Sequence, residues 1–459
     1  MNPLHAILLL VPLAAAAWGE PSLRSVEVAV KPGDKWMDRP TRTLADVPGA
    51  AAIKPDTGLN RFGGLTARQE KATGFFHTAK IDGRWWLVDP EGGLFLHRGV
   101  ASVSMLRTTG AQAAWRKKFD SETHWVEQTT ALLRTHGFNG LGAWADTGRL
   151  RAAQAPLAHT RIWNFMSGYG KKRGGTFQKP GHTGYPGDCI FVFDPEFETF
   201  CDEHARQLAA DKNDPWLLGH FSDNELPLRA DALKNYLALP ATDHGHQAAL
   251  KWLRERRGAN ATARDILPAD LPAFLEFMAA RYFRIVSAAI KRHDPNHLYL
   301  GARFHGSDLR TPEIFRTAGP HVDVVSVNYY RAWTPDAERL SMWARESGRP
   351  VLITEWYAKG ADSGLANTGG AGWLVKTQRD RGWFYENFTL GLLESKDCVG
   401  WDWFKYIDND PTDTRSDPSN RDSNKGILSN RYEPYTPLLD SMKRINERAY
   451  GLVNHFDKH

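Results

Sequence analysis

Residues 215–225 read PWLLGHFSDNE, an apolar run (Trp216, Leu217, Leu218 and Phe221) that ends in two acids, Asp223 and Glu225, with Asn224 between them. Unbroken apolar character over so short a run predicts a strand buried on both faces, and Pro227 stops it two residues beyond Glu225. The strand therefore carries a carboxyl to its own end. Residues 350–356, PVLITEW, repeat the arrangement, a Val-Leu-Ile strand closing in Thr354, Glu355 and Trp356. A single acid at a strand end serves equally well as a helix cap or an ion-pair partner. Two acids, each closing an apolar strand, are what glycoside hydrolysis requires: one protonates the leaving oxygen, and the other attacks the anomeric carbon or activates water.

Outward from these two runs the chain alternates strand and helix. The predicted strands are residues 99–103, 138–143, 161–165, 216–222, 298–303, 322–328, 351–355 and 398–403. The clearest helical periodicity lies in 122–136, 195–211, 271–293, 336–347, 373–395 and 435–449. Eight strands with intervening helices predict an α/β fold, a (β/α)8 TIM barrel. The alternative, an open doubly wound sheet, lacks a Gly-rich phosphate loop at its first strand-helix junction. Residues 20–73, with one convincing strand at Val26–Val30, read as an N-terminal arm. The alternation of short aromatic strands with Asp82-Gly83 and Pro90-Glu91-Gly92-Gly93 predicts a β-hairpin extension over one end of the main domain, residues 74–459.

A chain of 459 residues with 42% hydrophobic and 24% charged content can bury a large core. Its formal net charge of +5 is small, and no Lys/Arg stripe interleaves with aromatics, which argues against a nucleic-acid partner. Seventeen Trp and thirteen Tyr suit a carbohydrate partner, because flat amphipathic rings stack on sugar faces. Residues 1–19 carry an apolar stretch followed by Ala15, Ala16, Ala17 and Gly19, the pattern of a secretory signal, and imply export to the periplasm or beyond. No later run approaches the ~20 apolar residues of a membrane span. Of the three cysteines, Cys189 and Cys201 are the only close pair. The His-containing segment Asp243-His244-Gly245-His246 and the acidic loop 408–422 lack the spacing of a zinc or EF-hand site, so no metal and no cofactor is expected.

In a barrel, chemistry gathers at the carboxyl ends of the strands. Those ends hold Trp144 and Asp146, Asn164, Asn224-Glu225, Arg303 and His305, Asn328-Tyr329-Tyr330, Glu355-Trp356, and Trp401-Asp402-Trp403. This set resembles the clan A retaining glycoside hydrolases, in which Asn-Glu closes the fourth strand and a nucleophilic Glu the seventh. Residues 83–92 (GRWWLVDPEG), 220–225 (HFSDNE) and 353–356 (ITEW) are most similar to glycoside hydrolase family 50, the β-agarases.

The resemblance implies that Glu225 is the acid/base, its proton affinity raised by burial and by the second carboxyl. It implies that Glu355 is the nucleophile, kept ionised by Tyr329 or Tyr330 and by Arg303, with the carboxyls ~5–5.5 Å apart. Asn224 would bond the sugar 2-hydroxyl, and Trp401 or Trp403 would floor the subsite before the scissile bond. His305, Asn328 and Trp356 complete the expected substrate-binding set. Trp144, Trp163, Trp333 and Trp373 are further platforms, and Asp223 is a supporting or helix-capping acid. The stretch 167–187, with Lys171, Lys172 and Arg173, would rim the cleft as a solvated basic loop or as a contact for anionic sugars. Family agarases usually carry a large N-terminal carbohydrate-binding domain. The shorter stretch ahead of Phe75 favours oligosaccharides or another galactan-like chain. Two other readings are a clan A enzyme of β-galactoside or β-glucan specificity and a non-catalytic sugar-binding barrel.

Overall fold

The computed structural model describes residues 23–458, so the expected signal segment lies outside the described residues. Eight strands form one all-parallel sheet: β1 (His97–Val100), β2 (Gly140–Leu141), β3 (Ala158–Ile162), β4 (Leu217–Phe221), β5 (Leu298–Tyr299), β6 (Val325–Asn328), β7 (Val351–Glu355) and β8 (Cys398–Trp403). Their spatial order is β5-β4-β3-β2-β1-β8-β7-β6. The sheet curls until its end strands approach one another. Beyond β5 the chain makes a parallel bridge, Phe304 to Val327, and Phe304 N–H bonds Ser326 O at 2.9 Å.

The expected strand positions hold for β4, β7 and β8, where continuous apolar residues meet the length of a strand. Elsewhere the ends move. β5 stops at Tyr299, ahead of left-handed backbone at Gly301 and Arg303, and β3 ends before Asn164, whose φ of 58° turns the chain into the helix Phe165–Arg173. The helix expected from residue 373 begins at Gln378, where Thr377 and Asp380 form a capping box. Trp373–Val375 is instead a strand that pairs with Arg24–Ala29. The N-terminal arm is thus woven into a four-stranded sheet with segments that follow β7.

Small and branched side chains fill the curled sheet: Ala143, Ala158, Leu218, Leu300, Val324, Leu352 and Val399 form one apolar layer. Phe62, Phe76, Leu87 and Phe95, from the arm and the expected hairpins, close this core, and Trp85 N–H bonds Lys396 O just before β8. The hairpins therefore seal the amino ends of the strands and leave the carboxyl ends open. Outside the sheet lies the helical layer. Its longest member, Asp270–His293, buries Phe274, Leu275, Met278, Tyr282, Val286 and Ile290 at helical spacing and ends in Lys291, Arg292 and His293, favourable beside the negative end of its dipole. Removing one fully buried leucine such as Leu218 would cost about 2–5 kcal/mol. No helix among the described residues is long and apolar enough to cross a membrane. All three cysteines are buried and free, so Cys189 and Cys201 are not bonded.

Candidate active site

A cleft of about 660 Å³ opens at the carboxyl ends of the strands, lined by Glu225 and Glu355 among others. The backbone there is unusual. Ser102, Trp144, Asn164, Glu225, Arg303 and Arg331 follow six different strands, and each adopts φ between 54° and 65° without being glycine. Left-handed backbone costs such residues about 1–2 kcal/mol each. Strain concentrated at one end of a sheet is the mark of side chains aimed for a purpose.

One hydrogen-bonded path joins the two carboxyls. Asn328 Nδ2 donates to Glu225 Oε1 at 2.8 Å and to Asn224 Oδ1 at 3.2 Å. Arg303 Nε donates to the same Asn224 oxygen at 2.9 Å, and its Nη2 bonds Glu355 Oε1. Thr354 Oγ1 donates to Asn328 Oδ1 at 2.8 Å and so fixes which way that amide faces. Tyr330 donates its hydroxyl to the other Glu355 oxygen. The Arg303 guanidinium lies 4.4 Å over the Trp144 ring and 5.1 Å from that of Phe221, which holds the fork flat.

Two imidazoles meet the other face of Glu225. His182 Nδ1 is 3.2 Å and His305 Nε2 3.8 Å from Glu225 Oε2. His305 was expected at the site. His182 belongs to the hairpin Phe177–Lys179/His182–Gly184 in the long loop after β3, and no strand-end rule points to it. Asp417, in the loop after β8, holds that hairpin over the cleft: its carboxylate accepts from Gly181 N–H at 3.0 Å and from Gln178 Nε2 at 2.9 Å. The rim is therefore this hairpin, while Arg173 pairs with Asp194 and Asp243 away from it.

The electrostatics reverse the expected assignment of protons in the unliganded protein. Burial works to raise Glu225, but the contacts with His182 and Asn328 and the charge of His305 offset it and hold the carboxyl below the ordinary glutamate range. Glu355 is pushed up to about 6, by burial first and by the negative charge of Glu225, against the lowering effect of Arg303 and Tyr330. Burial also holds His305 below the usual imidazole range.

His182, Glu225 and His305 bring ligand atoms within 4.8 Å of one another, and so do His220, Asp294 and His297. The second group is satisfied internally. His220 bonds Asp294 at 2.8 Å and accepts from Trp163 Nε1 at 2.9 Å, while His297 bonds Asp294 at 2.7 Å and Asp214 O at 2.9 Å. The first has the donors of a zinc-type site, and an ion held there would remove a Glu225 oxygen from proton chemistry.

Asn224, Glu225, His305, Tyr330 and Glu355 line the cleft, with Arg303 and Asn328 directly beneath. Four expected contacts do not reach it. Tyr329 turns outward, accepts from Asp336 N–H at 3.1 Å and packs on Trp343. Trp356 stacks on Phe388 with ring centroids 4.2 Å apart. Trp401 donates to Tyr385 Oη in the outer layer, and Trp403, whose ring packs on Trp356 and Tyr385, donates to Lys425 O. Irregular pairing explains the tryptophans. Opposite β6, the register slips between Ile353 and Glu355, and opposite β7 it slips between Cys398 and Gly400. Each slip inverts the in-out alternation that follows. Asp402 consequently faces inward, with Oδ1 2.8 Å from His97 Nε2.

Of the other tryptophans expected at the site, Trp144 alone lines the cleft. Trp163 bonds His220, Trp333 bonds Thr41 Oγ1, and Trp373 bonds Ala332 O. Phe404 and Tyr357 supply the remaining aromatic walls. Asp223 caps the helix Phe165–Arg173: its carboxylate accepts from Met166 and Ser167 N–H and from Tyr282.

No family model matches the chain. Beta-agarase B of Vibrio sp. (strain JT0107) is 28% identical over 485 residues, covering 83% of this chain and 49% of that protein. Beta-agarase A of the same strain is 27% identical over 501 residues, covering 88% and 49%. The chain thus spans about half the length of the curated relatives it matches. Among solved structures, BpGH50 shares 30% identity at a TM-score of 0.81 over 95% of this chain and 96% of its own. The agarase AgWH50C shares 26% at a TM-score of 0.70, over 89% and 69%.

Proposed function

The chain belongs to glycoside hydrolase family 50, and on that premise we propose that it hydrolyses β-linked, galactan-type (agarose-like) oligo- or polysaccharide with retention of configuration. The observation that carries the proposal is the unbroken path Glu225–Asn328–Asn224–Arg303–Glu355, which aims two carboxyls into one cleft. In this reading the curled sheet is a closed (β/α)8 barrel, and export brings the protein to its polymer.

Glu355 attacks the anomeric carbon as the bond to the leaving sugar breaks, and Glu225 passes a proton to the departing oxygen. In a second step Glu225 takes a proton from water, the hydroxide attacks the same carbon, and Glu355 leaves as carboxylate. The contact with His182 bears on the first step. His182 stands 3.2 Å from Glu225 Oε2, the oxygen left free by Asn328, and so acts directly on the carboxyl that must deliver the proton. Asn224, with its carbonyl held by Arg303 and Asn328, directs its amide toward the sugar 2-hydroxyl, and Trp144 and Phe404 offer ring faces for stacking. The hairpin latched by Asp417 narrows one side of the cleft, which favours attack near a chain end.

Early-time NMR of agarose oligosaccharide hydrolysis tests the proposal: the first product released keeps the anomeric configuration of the substrate. Release of the opposite anomer would refute the double displacement. Cleavage of aryl β-glucosides, with agarose oligosaccharides untouched, would replace the galactan reading by a glucan one.

A further inference from the structure

Three lysines near the cleft are buried without an acidic partner. Lys359, Lys405 and Lys425 are 0%, 7% and 2% exposed. Lys359 Nζ donates to the carbonyls of Asn367 and Gly369 at 3.2 and 3.0 Å, Lys405 to the Asn409 side chain, and Lys425 to Asn420 Oδ1 at 2.6 Å. Among the described residues none of the three forms an ion pair. Burial lowers all of them, Lys359 and Lys405 to about 8 and Lys425 to about 7, and repulsion from the other two adds to the effect at Lys425.

The neighbouring acids are already engaged. Glu355 is held by Arg303, and Asp417 by the hairpin turn. Asp408 accepts from Asn424, Tyr435 and the Lys425 and Gly426 N–H groups. A buried ammonium surrounded by neutral acceptors is costly to keep, and its retention at a cleft wall points to an anion that arrives from outside.

Lys425 is the member that lines the cleft. Its Nζ lies 4.7 Å from the Tyr357 ring centroid and 5.3 Å from that of Phe404, both cleft walls. Arg331 lines the same cleft, exposed and without an ion-pair partner among the described residues. Flat rings beside uncompensated cations form a surface that accepts a sugar face and a negative substituent together.

We infer that Lys425, Arg331, Tyr357 and Phe404 form a subsite for a sugar bearing an anionic group, a sulfate ester or a uronate carboxylate. The proposal rests on the carbohydrate-hydrolase reading above for the sugar and on the unpaired cations for the charge. It places the substrate among acidic rather than neutral galactan-type chains.

Calorimetric binding to a Glu225→Gln protein, which separates affinity from turnover, tests the inference. The probes are a neutral agarose tetrasaccharide, a 6-O-sulfated porphyran tetrasaccharide and a glucuronate-containing tetrasaccharide. One charged probe should bind at least about 10-fold tighter than the neutral one, the effect of a charge-assisted hydrogen bond, and which probe does so identifies sulfate or carboxylate. Lys425→Met should erase that preference, weakening the charged probe by about 10-fold more than the neutral one. Arg331→Met, at an exposed position that tolerates substitution, should weaken the charged probe alone. Equal affinity for all three probes, or equal weakening of all three by Lys425→Met, would overturn the subsite. Charge-selective binding by a wild-type protein that hydrolyses no glycoside would refute the hydrolase reading and leave the subsite standing. Hydrolysis of all three chains without charge preference would do the reverse.

Discussion

Nδ1 of His182 stands 3.2 Å from Oε2 of Glu225, on a hairpin whose turn is bound by Asp417 from the loop after β8. A candidate acid/base on β4 is thereby tuned by two loops that are remote from it in sequence.

His182→Gln should move the acid limb of kcat/KM to higher pH. Burial raises the Glu225 carboxyl, and the contacts with His182 and Asn328 and the charge of His305 pull it down. With His182 gone, part of the downward pull is lost, Glu225 keeps its proton to higher pH, and the inactive doubly protonated form persists further up the acid side. A pH–rate profile measures the shift; an unmoved limb would show that His182 does not act on the acid.

On the alkaline side, activity should fall as pH rises through about 6, the value to which burial and Glu225 push Glu355, because above it both carboxyls are ionised and Glu225 has no proton to give. Tyr330→Phe deletes a donor that favours the ionised form and should move this limb to higher pH. One hydrogen bond to a charged group is worth about 1.5–3 kcal/mol, so kcat/KM at the optimum should fall roughly 10-fold or more. An alkaline limb that stays in place in Tyr330→Phe would assign it to another group.

Glu225→Ala should hurt natural leaving groups by ~10²–10⁴-fold while an activated aryl glycoside still forms the glycosyl-enzyme quickly. Release then stalls without a base, so stopped-flow should record a burst and slow turnover. Glu355→Gly supplied with azide should instead yield a glycosyl azide of inverted configuration. If that product arises only from Glu225→Gly, the two roles are exchanged.

Asp417→Ala frees the Gly181 N–H and the Gln178 amide and should loosen the hairpin. Two bonds to a carboxylate, each worth about 1.5–3 kcal/mol before screening, predict about a 10-fold loss in kcat/KM, faster proteolysis within 177–184, and an acid limb displaced in the same direction as in His182→Gln. Asp417→Asn, which keeps an acceptor, should recover part of each. Activity loss without faster cleavage would indicate that Asp417 contacts substrate directly.

Asp223→Ala strands the Met166 and Ser167 N–H groups and leaves the Tyr282 hydroxyl only its bond to Ser222, and should destabilise the fold by about 2–4 kcal/mol in chemical denaturation. Burial pushes the Asp223 carboxyl up to about 7, above its unfolded value, so the folded state binds this proton more tightly. That contribution is complete at low pH and is lost as pH rises through about 7. The deficit of the variant should therefore shrink as pH rises from the acid range to about 7 and stay constant above it, and a deficit independent of pH would argue that Asp223 stays ionised throughout.

The sequence by itself determined the parallel strand–helix alternation, the two strands that end in Glu225 and Glu355, and the polar residues that share the cleft with them. Apolar runs of strand length are a local signal, and a parallel sheet gathers its carboxyl ends at one face whatever its loops contain. Asn224, Arg303, His305, Asn328 and Tyr330 were legible for that reason.

Direction of side chains was not legible. Trp356, Trp401 and Trp403 stand next to cleft residues in the chain and yet pack among the outer helices, because register slips beside Thr354 and Val399 invert the alternation. A slip is decided by how a strand pairs with its neighbour, which its own residues do not record. His182, Asp417, Phe404 and Lys425 come from loops without periodicity, and only the closing of β3 and β8 loops across the cleft brings them to the two carboxyls. Tertiary structure alone also set the protons, since the imidazoles that lower Glu225 are neighbours in space and not in sequence.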